Sequence, residues 1–288
     1  MQAVDLHVHS TYSDGTLSPA ELIANAKEIG LAAMALTDHD TTDGIDEAKA
    51  AAKGSGVELI PGIELSCNYG GFKEIHIVGL YINKNDKEFN EAIKQARFSR
   101  EERNYKIAAL FQNLGIPVSV EELRKDYDNA VITRAHFADW LVKHGFVLSR
   151  KEAFDRYLND NGPCYVPRER ISAAYAISLI KNAGGVPVLA HPTLYHLGSD
   201  VMKKMLGDLK SYGLIGIECF YSTYTKGEEI EMRGLAKEFG LIPSGGSDFH
   251  GDNKPHIKLG CGKGNLFVPA SVLDEIKLSL TSNSRPHR

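Results

Sequence analysis

Long apolar runs are absent from the 288-residue sequence, and so are closely spaced cysteine pairs. A bilayer-spanning helix needs about 20 consecutive apolar residues, so we expect no membrane contact. The N-terminus lacks the basic start and apolar stretch of a signal peptide. The four cysteines lie far apart and form no Cys-x-x-Cys motif, so we expect reduced thiols. These absences predict a cytoplasmic protein.

Glycine and proline, with 27 and 11 residues, occur at ordinary frequency, which excludes a collagen-like or disordered chain. Basic residues are not in excess either, since the net charge is −4. A general nucleic-acid groove would need the opposite balance. Residues 1–80 contain 12 Asp and Glu but only 4 Lys and Arg. Acidic residues among histidines are what a cation site needs, so we expect such a site to draw on this first part of the sequence.

Short apolar runs alternate with amphipathic stretches along most of the sequence. This alternation predicts βαβ units and a mostly parallel sheet. Ser18 begins the first helix with a capping box, and Pro19 takes its first position. We predict strands at residues 4–9, 31–37, 57–65, 75–82, 186–190, 214–220 and 241–244, and helices at residues 18–30, 45–53, 173–182, 200–212, 228–239 and 272–280.

The alternation stops after Asn83, where helical patterns replace it, and no apolar strand pattern returns until Gly185. The predicted helices in this part lie at residues 86–114, 120–126, 134–143 and 150–159. We therefore predict an α/β fold in two domains. Residues 1–83 and 168–288 would form a metal-binding barrel, and residues 84–167 a helical insertion, or cap.

Six of the eleven histidines lie in or just after predicted strands, with acidic residues near them. In barrel-like α/β folds the carboxyl ends of the strands share one face, so these side chains should meet. His7 and His9 are two apart on a strand, so both rings project to one side and can chelate an ion. Imidazoles and carboxylates without thiolates suit Zn²⁺, Mn²⁺ or Fe²⁺. The histidines are His7, His9, His39, His76, His191 and His250, and the acids are Asp5, Asp14, Asp38, Glu64 and Asp248.

Several of these segments resemble the four motifs of the PHP (polymerase and histidinol phosphatase) family, in the family's order. They are DLHVHS at residues 5–10, SDG at 13–15, TDHD at 37–40, GIE at 62–64, His76, AHP at 190–192 and GSDFH at 246–250. The resemblance covers nearly the whole chain. It implies a distorted (β/α)₇ TIM-like barrel that binds two or three divalent ions and acts as a metal-dependent phosphoesterase.

The resemblance also implies a set of metal ligands, position by position. They form three groups: His7, His9, Glu64 and Asp248 for the first ion; Glu64, His76 and His191 for the second; and Asp14, His39 and His250 for the third. Glu64, His191 and Asp248 are the residues that we expect at the reacting centre. Asp38 and Asp40 are interpreted as carboxylates that orient imidazoles from behind.

A centre of this kind can cleave a phosphate ester, because ions about 3.5–4 Å apart can share the attacking hydroxide and clamp the leaving oxygen. No separate nucleophile is then required, and the sequence has no Gly-x-Ser-x-Gly elbow, P-loop or dinucleotide fingerprint. We expect a phosphoric monoester hydrolase that acts on a small nucleotide. A nucleoside 3′,5′-bisphosphate, hydrolysed to the 5′-monophosphate and phosphate, is the leading candidate.

Substrate specificity is expected from the helical insertion. Arg134 and His136 lie in the first turn of a predicted helix, where the helix N-terminus adds positive potential for a phosphate. The insertion resembles that of the nucleotide-acting subgroup of the PHP family, and Arg103 is the next candidate for substrate binding. Arg97 and Arg100 are interpreted as exposed partners of neighbouring glutamates.

Glu218 and the tyrosines after it are further candidates near the centre. Glu218 ends the stretch of residues 215–218 within the predicted strand at 214–220, where it lines the pocket or makes a structural hydrogen bond. Tyr221 and Tyr224 could stack on a base.

Other functions stay open at this point. They are 5′-3′ trimming of short oligonucleotides, a histidinol-phosphate-type phosphatase, a metal-dependent amidohydrolase and a non-catalytic metal-stabilised domain. Amidohydrolases often use a carbamylated strand lysine as the bridging ligand, whereas Glu64 is available here. No obligate protein partner is indicated by the sequence.

Overall fold

The computed structural model describes residues 2–70, 73–128, 130–167 and 169–283. Its strands are β1 (Val4–Val8), β2 (Ala33–Leu36), β3 (Glu58–Tyr69), β4 (Lys73–Leu80), β5 (Ile171–Ser172), β6 (Val186–Leu189), β7 (Gly216–Tyr221) and β8 (Ile242–Gly246). Its α-helices are α1 (Pro19–Glu28), α2 (Ile45–Ala52), α3 (Lys87–Asn113), α4 (Val120–Asp126), α5 (Arg134–Lys143), α6 (Arg150–Ala153), α7 (Ala173–Asn182), α8 (Ser199–Tyr212), α9 (Lys226–Phe239) and α10 (Ala270–Asn283).

Seven strands form a nearly closed barrel in the order β1-β2-β3-β4-β6-β7-β8, and the short β5 pairs with β3. The barrel closes between the segments that follow β8 and β1, where the Asp248 N–H donates to the His7 carbonyl at 2.9 Å. The His9 N–H likewise donates to the carbonyl of Phe249 at 3.0 Å. The distorted α/β barrel predicted from the sequence is therefore confirmed.

Strand β4 is the main source of the distortion, because it runs antiparallel to both β3 and β6 while the other neighbours on the barrel path are parallel. Only a short connection separates β3 from β4, and such a connection permits antiparallel pairing alone. Helix α7 packs closely on this strand. A Cβ at Gly79 would lie 2.9 Å from Ile180 Cγ1, so the contact requires glycine.

The second half of α3 and the helices that follow it up to residue 158 share a hydrophobic cluster, in which the rings of Phe111 and Phe137 are 6.1 Å apart. Helix α3 is capped by the Asp86 carboxylate, which accepts from the Phe89 N–H at 2.8 Å. The predicted helix at 150–159 is α6 followed by a π-helical turn, Phe154–Leu158. The division into a barrel and a cap at 84–167 stays a prediction. Of the residues that this division assigns to the two domains, Met1 and residues 71, 72, 129, 168 and 284–288 lie outside the described part of the chain.

Among the helices of the described ranges, none combines the length and the apolar character that crossing a bilayer requires.

Candidate metal centre

The first group of candidate ligands lies where β1 and β8 end. His7 and His9 are fully buried, and their Nε2 atoms face each other at 3.1 Å. The Oδ1 atom of Asp248 is 3.6 Å from His7 Nε2 and 3.3 Å from His9 Nε2. Because these three donor atoms converge within metal-ligand range, His7, His9 and Asp248 could hold one cation.

A second group surrounds Asp14, which follows β1 in the next turn. Asp14 Oδ1 lies 3.3 Å from His250 Nε2, 3.8 Å from His39 Nε2 and 3.9 Å from His9 Nδ1. His9 therefore takes part in both groups, one through each side of its ring. This arrangement departs from the grouping implied by the family resemblance, in which His9 serves only the first ion.

Glu64 of β3 lies between the other candidate ligands. Its Oε1 is 2.8 Å from His76 Nδ1 and 3.0 Å from His191 Nε2. Its Oε2 is 3.0 Å from His39 Nδ1, so His39, Glu64 and His76 form a third group. The same oxygen is 3.3 Å from His9 Nε2 and 3.4 Å from His7 Nε2. The structure thus brings every sequence-predicted ligand into one connected cluster centred on this carboxylate.

Several donor atoms in the cluster lack hydrogen bonds. Asp14 Oδ1 and Glu64 Oε2 are buried carboxylate oxygens that accept none from the described part of the chain. The buried Nδ1 atoms of His39 and His191 likewise make no hydrogen bond within the described residues, although His39 Nδ1 lies 3.0 Å from Glu64 Oε2. Buried polar atoms without partners are costly, and a bound cation removes that cost. The residues present therefore fit divalent metal ions.

The electrostatics keep the central carboxylate ionised. Burial alone would raise the pKa of Glu64, but the imidazoles of His39 and His76 hold it well below its usual range. Burial would lower the pKa of His76, but the Glu64 carboxylate overcomes this and raises the pKa to about 10. Burial, aided by Lys254, lowers the pKa of His250 to about 4. The cluster thus presents an ionised carboxylate at its centre, which is the form that can bind a cation.

The interpretation of Asp38 and Asp40 as carboxylates that orient imidazoles stays a prediction. Asp38 accepts from the Ser10 N–H at 2.8 Å and from the Ser13 hydroxyl at 2.6 Å, so it orders the loop after β1. Asp40 accepts from Arg100 Nε at 3.2 Å and pairs with the same guanidinium through Nη2. Arg100 is buried, and the prediction that it is exposed beside glutamates is wrong, because adjacent helix positions do not face each other.

Three residues that support the first group had little or no sequence signal for this role. The Tyr221 hydroxyl donates to Asp248 Oδ2 at 2.6 Å, and Lys254 Nζ donates to the same oxygen at 2.5 Å. Glu218 Oε1 lies 2.8 Å from His7 Nδ1. Tyr221 and Tyr224 are each 5% exposed and line a separate cavity, and their stacking on a base stays a prediction. The contacts of Tyr221 and Glu218 join residues that are distant in sequence, which a local pattern does not reveal.

A cavity of about 170 Å³ opens on the cluster. Arg134, whose side chain is 24% exposed, lines this cavity. Its Nη1 donates to the Leu158 carbonyl at 3.1 Å. Arg103 is buried and lines the same cavity. Arg170, which the sequence analysis missed because it belongs to no motif, also lines it and donates to Glu74 Oε2 at 2.6 Å.

His136 is not brought to this cavity. It is buried within the helical insertion, and its Nδ1 accepts from the Thr133 N–H at 2.9 Å in a capping box. The predicted substrate contact of His136 thus corresponds to a helix cap in the structure, because a residue at the third helical position can turn back to the cap.

Comparisons with known proteins agree with this centre. Residues 5–197 match the model of the PHP domain family. The chain is 41% identical over 246 residues to a 5′-3′ exoribonuclease from Haemophilus influenzae, covering 85% of this chain and 89% of that protein. It is 36% identical over 251 residues to a 3′,5′-nucleoside bisphosphate phosphatase from Chromobacterium violaceum, covering 87% and 88%. A solved structure from Bifidobacterium adolescentis, to which metal-dependent phosphoesterase activity is attributed, has a TM-score of 0.86 at 28% identity and covers 96% of each chain. The chain therefore belongs to the PHP domain family and is a metal-dependent phosphoesterase.

Proposed function

We propose that this enzyme removes one phosphate from a small nucleotide, such as a nucleoside 3′,5′-bisphosphate, and yields the nucleoside 5′-monophosphate. The observation that carries the proposal is that one cavity is lined both by candidate metal ligands and by arginines: Asp14, His39 and His76 with Arg103, Arg134 and Arg170. A substrate with two phosphates can use both features, whereas a monophosphate uses only one. The relative from Chromobacterium violaceum, named as a 3′,5′-nucleoside bisphosphate phosphatase, supports the same substrate class.

Two or three divalent ions, Mn²⁺, Zn²⁺ or Fe²⁺, are proposed as cofactors, because the donor set contains imidazoles and carboxylates without thiolates. When bound, such ions supply Lewis acidity that activates water and neutralises charge on the phosphate. The proposed ligand groups are those whose donor atoms converge: His7, His9 and Asp248; His9, Asp14, His39 and His250; and His39, Glu64 and His76. His191, next to Glu64 Oε1, completes the proposed set.

Glu64, His191 and Asp248 are proposed as the residues at the reacting centre. Glu64 directs its two oxygens to different histidines, so it can join adjacent ligand groups. Asp248 Oδ1 faces His9, while its Oδ2 is already held by Tyr221. This second contact fixes the carboxylate before substrate arrives, and such preorganisation supports catalysis.

Arg134 and Arg170 are proposed to bind the phosphate that is not cleaved. Both guanidinium groups approach Glu74 Oε2, Arg170 at 2.6 Å and Arg134 at 3.9 Å. Glu74 therefore holds the two cations side by side beside the cavity. Guanidinium groups can bind phosphate oxygens bidentately, and Arg103 is proposed as a third contact.

Exonuclease activity on short oligonucleotides is the second candidate. A neighbouring cavity of about 280 Å³ shares Arg100 with the first and is also lined by Tyr12, Arg97 and Arg124. It offers space for a following nucleotide, and the Haemophilus influenzae relative is named as an exoribonuclease. However, Arg97 pairs with Asp43 and Arg124 pairs with Glu101, each at 2.7 Å. We favour the small substrate, because among the described residues this neighbouring cavity is lined by none of the candidate metal ligands.

A phosphate-release assay with Mn²⁺-loaded protein separates these functions. The substrates are adenosine 3′,5′-bisphosphate, 3′-AMP, 5′-AMP, histidinol phosphate and a 5′-phosphorylated dinucleotide. We expect the highest kcat/KM on the bisphosphate, with 5′-AMP as product. Equal low rates on all substrates would refute the nucleotide proposal, and faster release of 5′-AMP from the dinucleotide would favour the exonuclease. Amide or lactone hydrolysis without phosphate release would favour an amidohydrolase.

A further inference from the structure

Glu218 is a buried carboxylate that contacts two candidate ligands from behind. It lies in β7 and is 1% exposed. Its Oε1 is 2.8 Å from His7 Nδ1, and its Oε2 accepts from the backbone N–H of His191 at 2.6 Å. This side chain therefore joins His7, which belongs to β1, to His191, which follows β6.

The contact with His191 occurs at an unusual backbone conformation. His191 has a φ of 30°, in the left-handed region, immediately before a 3₁₀ turn, Pro192–Tyr195. A residue other than glycine rarely adopts such a conformation and needs support from its surroundings. Glu218 supplies such support, because its oxygen fixes the N–H of the strained residue.

The contact with His7 determines how that ring faces the centre. A carboxylate oxygen only accepts hydrogen bonds, so the Nδ1 atom beside it must carry a hydrogen. In a neutral imidazole, the lone pair is then on Nε2. That atom faces the other candidate ligands, at 3.1 Å from His9 Nε2 and 3.6 Å from Asp248 Oδ1.

We propose that Glu218 is a positioning residue that fixes His7 in the tautomer with hydrogen on Nδ1 and clamps His191, so that both imidazoles are oriented for metal binding. The inference depends on the proposed role of His7 and His191 as metal ligands. Glu218 itself does not line the cavity, and it acts through the two histidines.

Replacement by glutamine distinguishes this role from simple filling of space. Glu218→Gln keeps the size of the side chain but has one accepting oxygen and one donating amide. The backbone N–H of His191 can only donate, so the glutamine oxygen must face it. The amide then faces His7 Nδ1, which must accept, and the hydrogen moves to Nε2, the atom directed at the centre.

The test compares wild type, Glu218→Gln, Glu218→Ala and the control Glu231→Gln, which removes the same charge from an exposed position on α9. Zn²⁺ affinity is measured by competition with a chelator. The protonated nitrogen of His7 is identified from long-range ¹H–¹⁵N spectra of Zn²⁺-loaded, histidine-labelled protein, with assignment from a His7→Gln spectrum. Circular dichroism verifies that each variant is folded.

We expect wild-type His7 to carry its hydrogen on Nδ1 and Glu218→Gln to lose about 10–100-fold in Zn²⁺ affinity, the range typical of partners behind metal ligands. The control should retain wild-type affinity. Glu218→Gln with affinity within twofold of wild type would overturn the proposal. So would a hydrogen on Nε2 of His7 in the wild type, a result that needs no variant to fold. Failure of the wild type itself to bind Zn²⁺ would instead refute the proposed metal centre.

Discussion

Arg100 of helix α3 forms a buried ion pair with Asp40, the residue that follows His39 after β2. The side chains are 9% and 2% exposed, and two nitrogens of the guanidinium approach one carboxylate oxygen. The pair fastens the long helix of the insertion to the barrel beside the candidate metal centre. It therefore contributes to placing Arg103, one turn further along α3, at the cavity.

Loss of this ion pair should destabilise the protein strongly. Arg100→Ala removes one partner of a buried ion pair, so we expect the free energy of unfolding to fall by about 3–5 kcal/mol. Urea denaturation measures the change. The control is Arg97→Ala, whose pair with Asp43 is 39% and 50% exposed and should contribute about 1 kcal/mol or less. Equal effects of the two substitutions would show that the Arg100 pair does not fasten the helix.

Substitution of a proposed ligand should remove metal and turnover together. His9→Ala takes a donor from two ligand groups, and Asp248→Ala takes the carboxylate from the first. We expect both variants to have less than about 1% of wild-type activity and a lower metal content by elemental analysis. His256→Ala, at an exposed position, serves as control. Full metal content in the His9 variant would place the ions elsewhere.

Removal of a cavity arginine should weaken substrate binding and leave the metals in place. Arg134→Ala and Arg170→Ala each delete a charged hydrogen-bond donor, so we expect KM for the bisphosphate to rise about 10–100-fold. KM for a monophosphate should change much less, since it lacks the second phosphate. Arg156→Ala, which removes an arginine 51% exposed at the surface, is the control. Loss of metal from the Arg134 variant would contradict the assignment.

His136 should make the metal-free protein sensitive to mild acid. Burial lowers its pKa from 6.5 to about 4, so the folded state keeps this imidazole neutral where the unfolded state is protonated. The stability that depends on this neutral imidazole is fully present above pH 6.5. As the pH falls towards 4 it is lost, and the free energy of unfolding falls by up to about 3 kcal/mol. The free energy of unfolding, measured between pH 7 and 4 in the presence of chelator, should fall less steeply for His136→Gln than for the wild type. Parallel curves for the variant and the wild type would refute this role.

Local signals predicted much of the secondary structure. Helices α4, α5 and α7 occupy the predicted residues, and Ser119, Thr133 and Ser172 cap them as their sequences suggest. Strand β5 was not predicted because its two residues are too few to produce a periodicity. Strand β4 was predicted as a strand, but its antiparallel direction depends on the short connection from β3 and on pairing with the distant β6.

The candidate site was only partly predictable from the sequence. Spacing alone indicates that His7 and His9 share a side of a strand, and the PHP motifs extend the set to the remaining ligands. The contacts of Arg100 and Glu218 could not be predicted, since their partners lie 60 residues away for Asp40 and 211 for His7. Such pairs depend on how the strand ends and the insertion come together in the folded chain.

The central claim is that this cluster binds divalent ions on which phosphate-ester hydrolysis depends. Phosphate release from adenosine 3′,5′-bisphosphate is the most direct measurement, with protein stripped by a chelator and then reloaded with Mn²⁺. We expect stripping to abolish phosphate release and reloading to restore it, together with 5′-AMP formation. An unchanged rate in the stripped protein would contradict it.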